Sequence, residues 1–161
     1  MTQQQIEQTT VRKSVTVAAG QERAFEVFTS GIGGWWPKEH HIGAGEMAGC
    51  AYEPKVGGRW YEISADGSEC DWGQVLVWEP PNRIVHTWQI QGDWKYDPDP
   101  ARASEVEVRF IAEGPNQTRV ELEHRHFERH GEGGAKVAGS VSNPHGWGYV
   151  LDHYATLANA S

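Results

Sequence analysis

The sequence predicts an α+β domain in which a curved antiparallel sheet wraps around one long C-terminal helix. Three observations carry that expectation. Strand signals joined by short connections run from Gly45 to Phe127, and short connections favour antiparallel pairing. Trp147, Val150, Leu151, Tyr154, Leu157 and Ala158 then recur with a helical period. One apolar sheet face needs a cover, and this last helix carries the matching stripe.

Taken in order, residues 1–10 are rich in Gln and Thr and read as a disordered N-terminal tail, leaving residues 11–161 as a single domain. Val11, Lys13, Val15 and Val17 share one side of a first strand. Gln21 to Ser30 places Ala24, Phe25 and Phe28 at helical spacing, and the helix stops before Gly31. Gly31 to Pro37 is a break or a short helical turn. Gly57-Gly58 marks a turn into a strand from Arg59 to Ile63, and Asp66-Gly67 is a hairpin signal. Trp72 to Glu79 is a strand stopped by Pro80-Pro81, and Arg83 to Ile90 follows. Ser104 to Ala112 and Thr118 to Phe127 form a further pair around Gly114-Pro115-Asn116.

That last pair has the clearest facing. Val106, Val108 and Phe110 alternate with Glu105, Glu107 and Arg109, and Val120 and Leu122 alternate with Arg119, Glu121 and Glu123. One face is apolar, and the other carries charges of both signs that can pair across strands. The facing of Trp60, Trp72 and Trp78 is open, because a single bulge inverts it. Asn143-Pro144 reads as a cap and first residue of a helix from Pro144 to Ala158. Gln91 to Ala103 reads as an aromatic loop with Trp94, and Glu128 to Gly146, with five glycines, as a mobile loop.

Composition narrows the function classes. The 161 residues include 14 Lys+Arg against 22 Asp+Glu, a net charge of −8. Nucleic-acid and anionic-membrane surfaces need clustered cations, so neither partner is expected. No apolar run approaches the roughly 20 residues that span a bilayer. The N-terminus, Met1 to Gln8, is polar and lacks an apolar signal core, so a cytoplasmic protein is expected. Cys50 and Cys70 lack the spacing of a redox motif or a four-ligand zinc site, and free buried thiols are the expectation.

Two sets of side chains point toward a ligand. His124 and His126 lie two apart on one strand, on the side of Val120 and Leu122, and His86 faces inward from another. Three imidazoles can hold zinc. They can equally line a wet cavity and hydrogen-bond a ligand, and this second reading, with no metal or cofactor, is preferred. Trp36, Trp60, Trp72, Trp88 and Trp147 supply flat walls, each with one N–H donor. Glu62 alternates with Trp60, and a buried carboxyl group near a histidine can act as acid or base. The preferred reading of Glu62 is nevertheless a surface residue or a partner of Arg59 or Arg83.

Several stretches resemble a known superfamily. Val11 to Val17, Ala24-Phe25, Trp35-Trp36-Pro37, Gly57-Gly-Arg-Trp-Tyr-Glu62, Gly73-Gln-Val-Leu-Val-Trp-Glu-Pro-Pro81, His86-Thr-Trp88 and Gly146-Trp147 are similar to SRPBCC (START-like, helix-grip) proteins. Within these, the chain resembles the family of the activator of the heat-shock-protein-90 ATPase. Gly57 to Ile63 and Thr118 to Phe127 resemble in particular the branch of calicheamicin self-sacrifice resistance. The resemblance implies a helix-grip fold and an internal hydrophobic cavity, but one fold serves many functions. The leading expectation is a non-enzymatic binder of a hydrophobic or aromatic small molecule between the sheet and the last helix. Trp60, Trp88 and Tyr154 give flat contact, and His86, His124 and His126 give polar anchors. The alternatives are an antibiotic-sequestering or self-sacrificing resistance protein, with Gly92 as the presented glycine, a chaperone-interacting module, and a cyclase- or hydrolase-type enzyme.

Overall fold

A computed structural model describes residues 10–160. The expected tail therefore lies outside the described residues except for Thr10. Seven strands form one antiparallel sheet in the order β1-β7-β6-β5-β4-β3-β2. They are β1 (Val11–Val17), β2 (Met47–Tyr52), β3 (Arg59–Ser64), β4 (Glu69–Glu79), β5 (Arg83–Trp88), β6 (Ser104–Gly114) and β7 (Gln117–Arg125). The helices are α1 (Gln21–Phe28), α2 (Gly134–Ser142) and α3 (Trp147–Asn159). Among the described residues no helix is long and apolar enough to cross a membrane.

The alternation along β6 and β7 places the core. Val106 opposes His124, Val108 opposes Leu122 and Phe110 opposes Val120, all on the face turned toward α3. On the outer face Glu107 opposes Glu123, a like-charge pairing that needs cations. Arg83, Arg109 and Arg125 all reach the Glu107 carboxylate. Burial alone raises its pKa, but the hydrogen bonds from Arg125, Arg83 and Arg109 prevail and hold it at about 2. Inside, Phe28 packs edge-on against Phe110 and Tyr154, with ring centroids 5.6 and 5.0 Å away. The buried Tyr154 hydroxyl donates to the Ala24 carbonyl at 2.8 Å, tying α3 to α1.

Register irregularities settle the tryptophans. One falls at Trp60/Tyr61 between β3 and β4, another at Val75/Val77 between β4 and β5. Trp60 and Trp72 both turn inward and are buried, whereas Trp78 is half-buried.

Three expectations are corrected. The segment 128–146 is not a long loop. It forms 3-10 turns over Phe127–Gly133 and then α2, whose Val137, Ala138 and Val141 are buried. Helical spacing of those three residues outweighs the low propensity of the glycines around them. The last helix begins at Trp147 rather than Pro144. Asn143 uses its side chain to accept the His145 N–H at 2.7 Å, making a tight turn instead of a cap. Gly146 is required there, since a Cβ would sit 2.0 Å from the Val141 carbonyl oxygen. His126 does not face inward. β7 ends at Arg125, and His126 has φ +66° with its ring directed to Glu128 at 3.7 Å on the surface. The strand period stops before it, so the alternation with His124 does not extend to it.

Phe28 fills the junction of α1, β6 and α3, so Phe28→Ala is expected to cost about 3–5 kcal/mol. Equilibrium unfolding in urea, with unchanged slope and a lowered midpoint, measures it.

Candidate functional site

The space under the middle of α3 is filled by interlocked rings, and the cavity lies at the helix's N-terminal end. It has a volume of about 360 Å³, within the range of small-molecule sites. Trp36, Trp72, Trp88 and Trp147 make its aromatic wall. Trp36 lies 5.3 Å from Trp72 and 6.0 Å from Trp147 between centroids, and Trp88 lies 5.7 Å from Trp147. Hydrogen bonds fix three of these rings. Trp36 Nε1 donates to the His40 carbonyl at 2.8 Å, Trp72 Nε1 to Glu62 Oε1 at 2.8 Å, and Trp147 Nε1 to His124 Nδ1 at 3.0 Å. Glu39, His40, His41, Asn143 and His145 supply polar edges. Burial pushes the pKa of His40 down, assisted by the nearby His153 and His145 and opposed by Glu39.

Behind this wall Glu62 is completely buried. It is neither a surface residue nor a partner of Arg59 or Arg83. Strand alternation puts it on the inner face with Trp60, and Oε1 accepts three N–H groups: Ile42 at 2.7 Å, Gly43 at 2.9 Å and the Trp72 indole at 2.8 Å. Oε2 lies 3.3 Å from His41 Nδ1. Among the described residues these two atoms and Trp60 Nε1 are the buried side-chain N and O atoms without a hydrogen bond. The two atoms thus face each other without an aligned hydrogen bond, and His41 lines the cavity. With Nδ1 turned to Glu62, Nε2 is the nitrogen available to a ligand. Gly43 permits the close approach, because a Cβ there would stand 2.7 Å from Glu62 Oε2.

The other expected residues divide between wall and support. Trp36, Trp72, Trp88 and Trp147 line the cavity, whereas Trp60, His86, His124 and Tyr154 are packed behind it. His86 donates from Nδ1 to the Thr87 carbonyl at 3.0 Å and accepts at Nε2 from the Tyr52 hydroxyl at 3.1 Å. Burial lowers its pKa to about 4, the Thr87 bond opposing. His124 must accept at Nδ1 from an indole that can only donate, so its proton is on Nε2. Nε2 donates to Ser104 Oγ at 2.7 Å, Ser104 Oγ donates to His130 Nε2 at 2.7 Å, and His130 Nδ1 donates to Gln91 Oε1 at 3.1 Å. Burial, with His86 and His130 nearby, drives the pKa of His124 far down. His86, His124 and His126 do not converge, and among the described residues no group of His, Cys, Asp or Glu is placed to hold a metal.

His41 and Trp94 were not singled out as site residues from the sequence. His41 lies between His40 and Ile42 in an irregular segment with no period to orient it, though a His-His pair after Trp-Trp-Pro is a visible signal. Gly92 borders two neighbouring grooves rather than this cavity, and a Cβ on it would press on the Lys136 side chain at 3.1 Å. Cys50 is a free buried thiol and Cys70 a free half-buried one. Burial, then Glu62, pushes the pKa of Cys50 up to about 12.

A curved antiparallel sheet closed around a terminal helix, with an aromatic cavity at one end, defines a helix-grip, SRPBCC-type domain. The chain belongs to the activator of Hsp90 ATPase homolog 1-like family, which matches residues 18–159. Among solved structures it is similar to Txn09, an anthrahydroquino-γ-pyrone synthase, with 47% identity over 92% of this chain and 96% of that one and a TM-score of 0.65. It is similar to CalC, a self-sacrificing resistance protein from Micromonospora echinospora, with 32% identity over 94% of both chains and a TM-score of 0.64. Protein NE0264 from Nitrosomonas europaea shares the fold at 15% identity, with 94% of both chains covered and a TM-score of 0.64. A comparison with curated proteins found no match.

The buried imidazoles make stability depend on pH. A folded-state pKa of about 4 for His86 lies below the ordinary 6.5, so between these values the unfolded chain binds more protons. Stability is therefore complete above about pH 6.5 and falls with acid, by about 2 kcal/mol from His86 alone between about pH 6.5 and about pH 5. Denaturant unfolding at several pH values measures the slope, and His86→Gln flattens it.

Proposed function

We propose that this protein binds a planar polycyclic aromatic compound of the aromatic-polyketide type in the cavity and promotes closure of an oxygen-containing ring on it. One observation carries the reading: the buried Glu62 carboxyl group faces His41 Nδ1 across 3.3 Å, and both atoms lack another partner. Catalytic hydrogen bonds of this kind are often long in the free enzyme and tighten when ligand binds. The indoles offer flat apolar walls that exclude water and stack on fused rings. In the closure proposed, a phenolic O–H adds to a carbonyl of a 1,3-diketone side chain, so that the C–O bond forms as the O–H bond and the C=O π bond break, and the resulting hemiketal then loses its hydroxyl group and a neighbouring C–H proton as water. His41 Nε2 accepts the phenolic proton, returns it to the carbonyl oxygen and then carries the neighbouring C–H proton to the departing hydroxyl, and Glu62 steadies the imidazolium through Nδ1, as in other carboxylate–imidazole pairs. The similarity to an anthrahydroquino-γ-pyrone synthase at 47% identity supports the same substrate class.

The sequence alone favours a non-enzymatic binder, and the His41–Glu62 pair adds a chemical role to that binding site. Antibiotic sequestration, as suggested by the likeness to CalC, uses the same cavity without turnover.

Two measurements separate these outcomes. Binding of 1,8-dihydroxyanthraquinone is followed by quenching of tryptophan fluorescence, and ring closure of an anthrahydroquinone carrying an unclosed side chain is followed by mass spectrometry. His41→Ala and Glu62→Gln are expected to bind within about threefold of the wild type and to slow closure by about 100-fold or more. Closure at wild-type rate in His41→Ala defeats the acid–base role. Binding with no closure by the wild type returns the protein to the carrier and sequestering class.

A further inference from the structure

The four wall indoles are buried, but a fifth, Trp94, stands at the cavity's open side with 53% of its surface exposed. Its backbone is left-handed, with φ +62°, a conformation that bulky residues avoid and that marks functional positions when it persists. The loop enforces it. Trp94 N–H donates to the Gln91 carbonyl at 2.9 Å, Gln91 N–H donates to the Lys95 carbonyl at 2.9 Å, and Ile90 bridges Tyr96. Gln91 is also the end of the buried chain that runs through His130, Ser104 and His124 to the wall indole of Trp147. The base of the loop and the wall of the cavity are thus one hydrogen-bonded framework. The indole itself is not packed down. It lines a narrow crevice together with Trp88 and with Val137 and Val141 of α2.

An exposed indole and a left-handed backbone thus come together at one residue that lines the cavity. We infer that Trp94 is a ligand clamp, which stacks on the outer face of a flat ligand held against Trp88 and Trp147 and so selects planar fused-ring compounds. The inference rests on the aromatic ligand class proposed above and adds the residue that discriminates its shape.

The test uses the full chain as wild type, Trp94→Gly and Trp94→Phe. The probes are 1,8-dihydroxyanthraquinone and a cage-shaped apolar compound of similar volume, adamantane carboxamide. Trp94→Gly is expected to bind the flat probe about tenfold more weakly, to bind the cage compound unchanged, and to melt no lower than wild type, because glycine accepts the left-handed backbone. Trp94→Phe is expected to restore flat-probe affinity to within about threefold. Bound flat probe is also expected to shield the exposed indole from acrylamide. Equal weakening of both probes, a lowered melting temperature, or undiminished acrylamide quenching in the saturated complex each overturns the clamp. If Trp94→Gly keeps flat-probe affinity while His41→Ala still slows ring closure, the clamp fails and the proposed function stands. If the wild type binds no flat probe, both fail.

Discussion

A carboxyl group with no solvent contact has to be satisfied by the protein, and the way Glu62 is satisfied organises one whole end of this molecule. A buried acceptor left unpaired costs about 1–3 kcal/mol per lost hydrogen bond. Oε1 therefore gathers the backbone of Ile42 and Gly43 and the indole of Trp72 around itself. This pins the irregular segment after Trp36 against β3 and β4 and sets the angle of one cavity wall. It also leaves Oε2 directed at His41. The group that anchors the wall is thus also the partner faced by His41, which lines the cavity.

The tryptophans serve two purposes that their composition alone does not separate. Trp35, with its N–H on the Val27 carbonyl at 2.8 Å, belongs to the solid core with Phe28 and Tyr154. Trp36, Trp72 and Trp147 are just as deeply buried but each presents one edge to the cavity, locked by a hydrogen bond at the other. Fixed indoles make a preorganised seat, and preorganisation reduces the ordering cost of binding. The imidazole of His124 is part of that fixation, since it serves as acceptor for Trp147. Its low pKa keeps the accepting lone pair free at neutral pH.

Helix-grip folds support many functions because the sheet and the terminal helix build the frame while loops and helix ends build the site. Here the cavity is bordered by the segment after Trp36, the 91–94 loop, the end of α2 and the start of α3. All four lie outside the sheet's regular alternation.

The sequence by itself determined the architecture. Period-two alternation along residues 104–125 and the helical stripe from Trp147 to Ala158 are direct records of one-sided burial, so strand pairs, facing and the covering helix were legible. Inward placement of His86, His124, Trp88 and Trp147 followed from the same periods. Only the tertiary structure decided the rest. Bulges at Trp60/Tyr61 and Val75/Val77 reset strand facing without a local signal. The glycines of 131–139 concealed α2, whose stability comes from packing rather than propensity. The meeting of Glu62 with His41, and of Gln91 with His130, joins segments that no shared period relates. Periodicity reports which side of a segment is buried. Which side chains meet there depends on how separate segments close on one another, and that closure is a property of the folded chain.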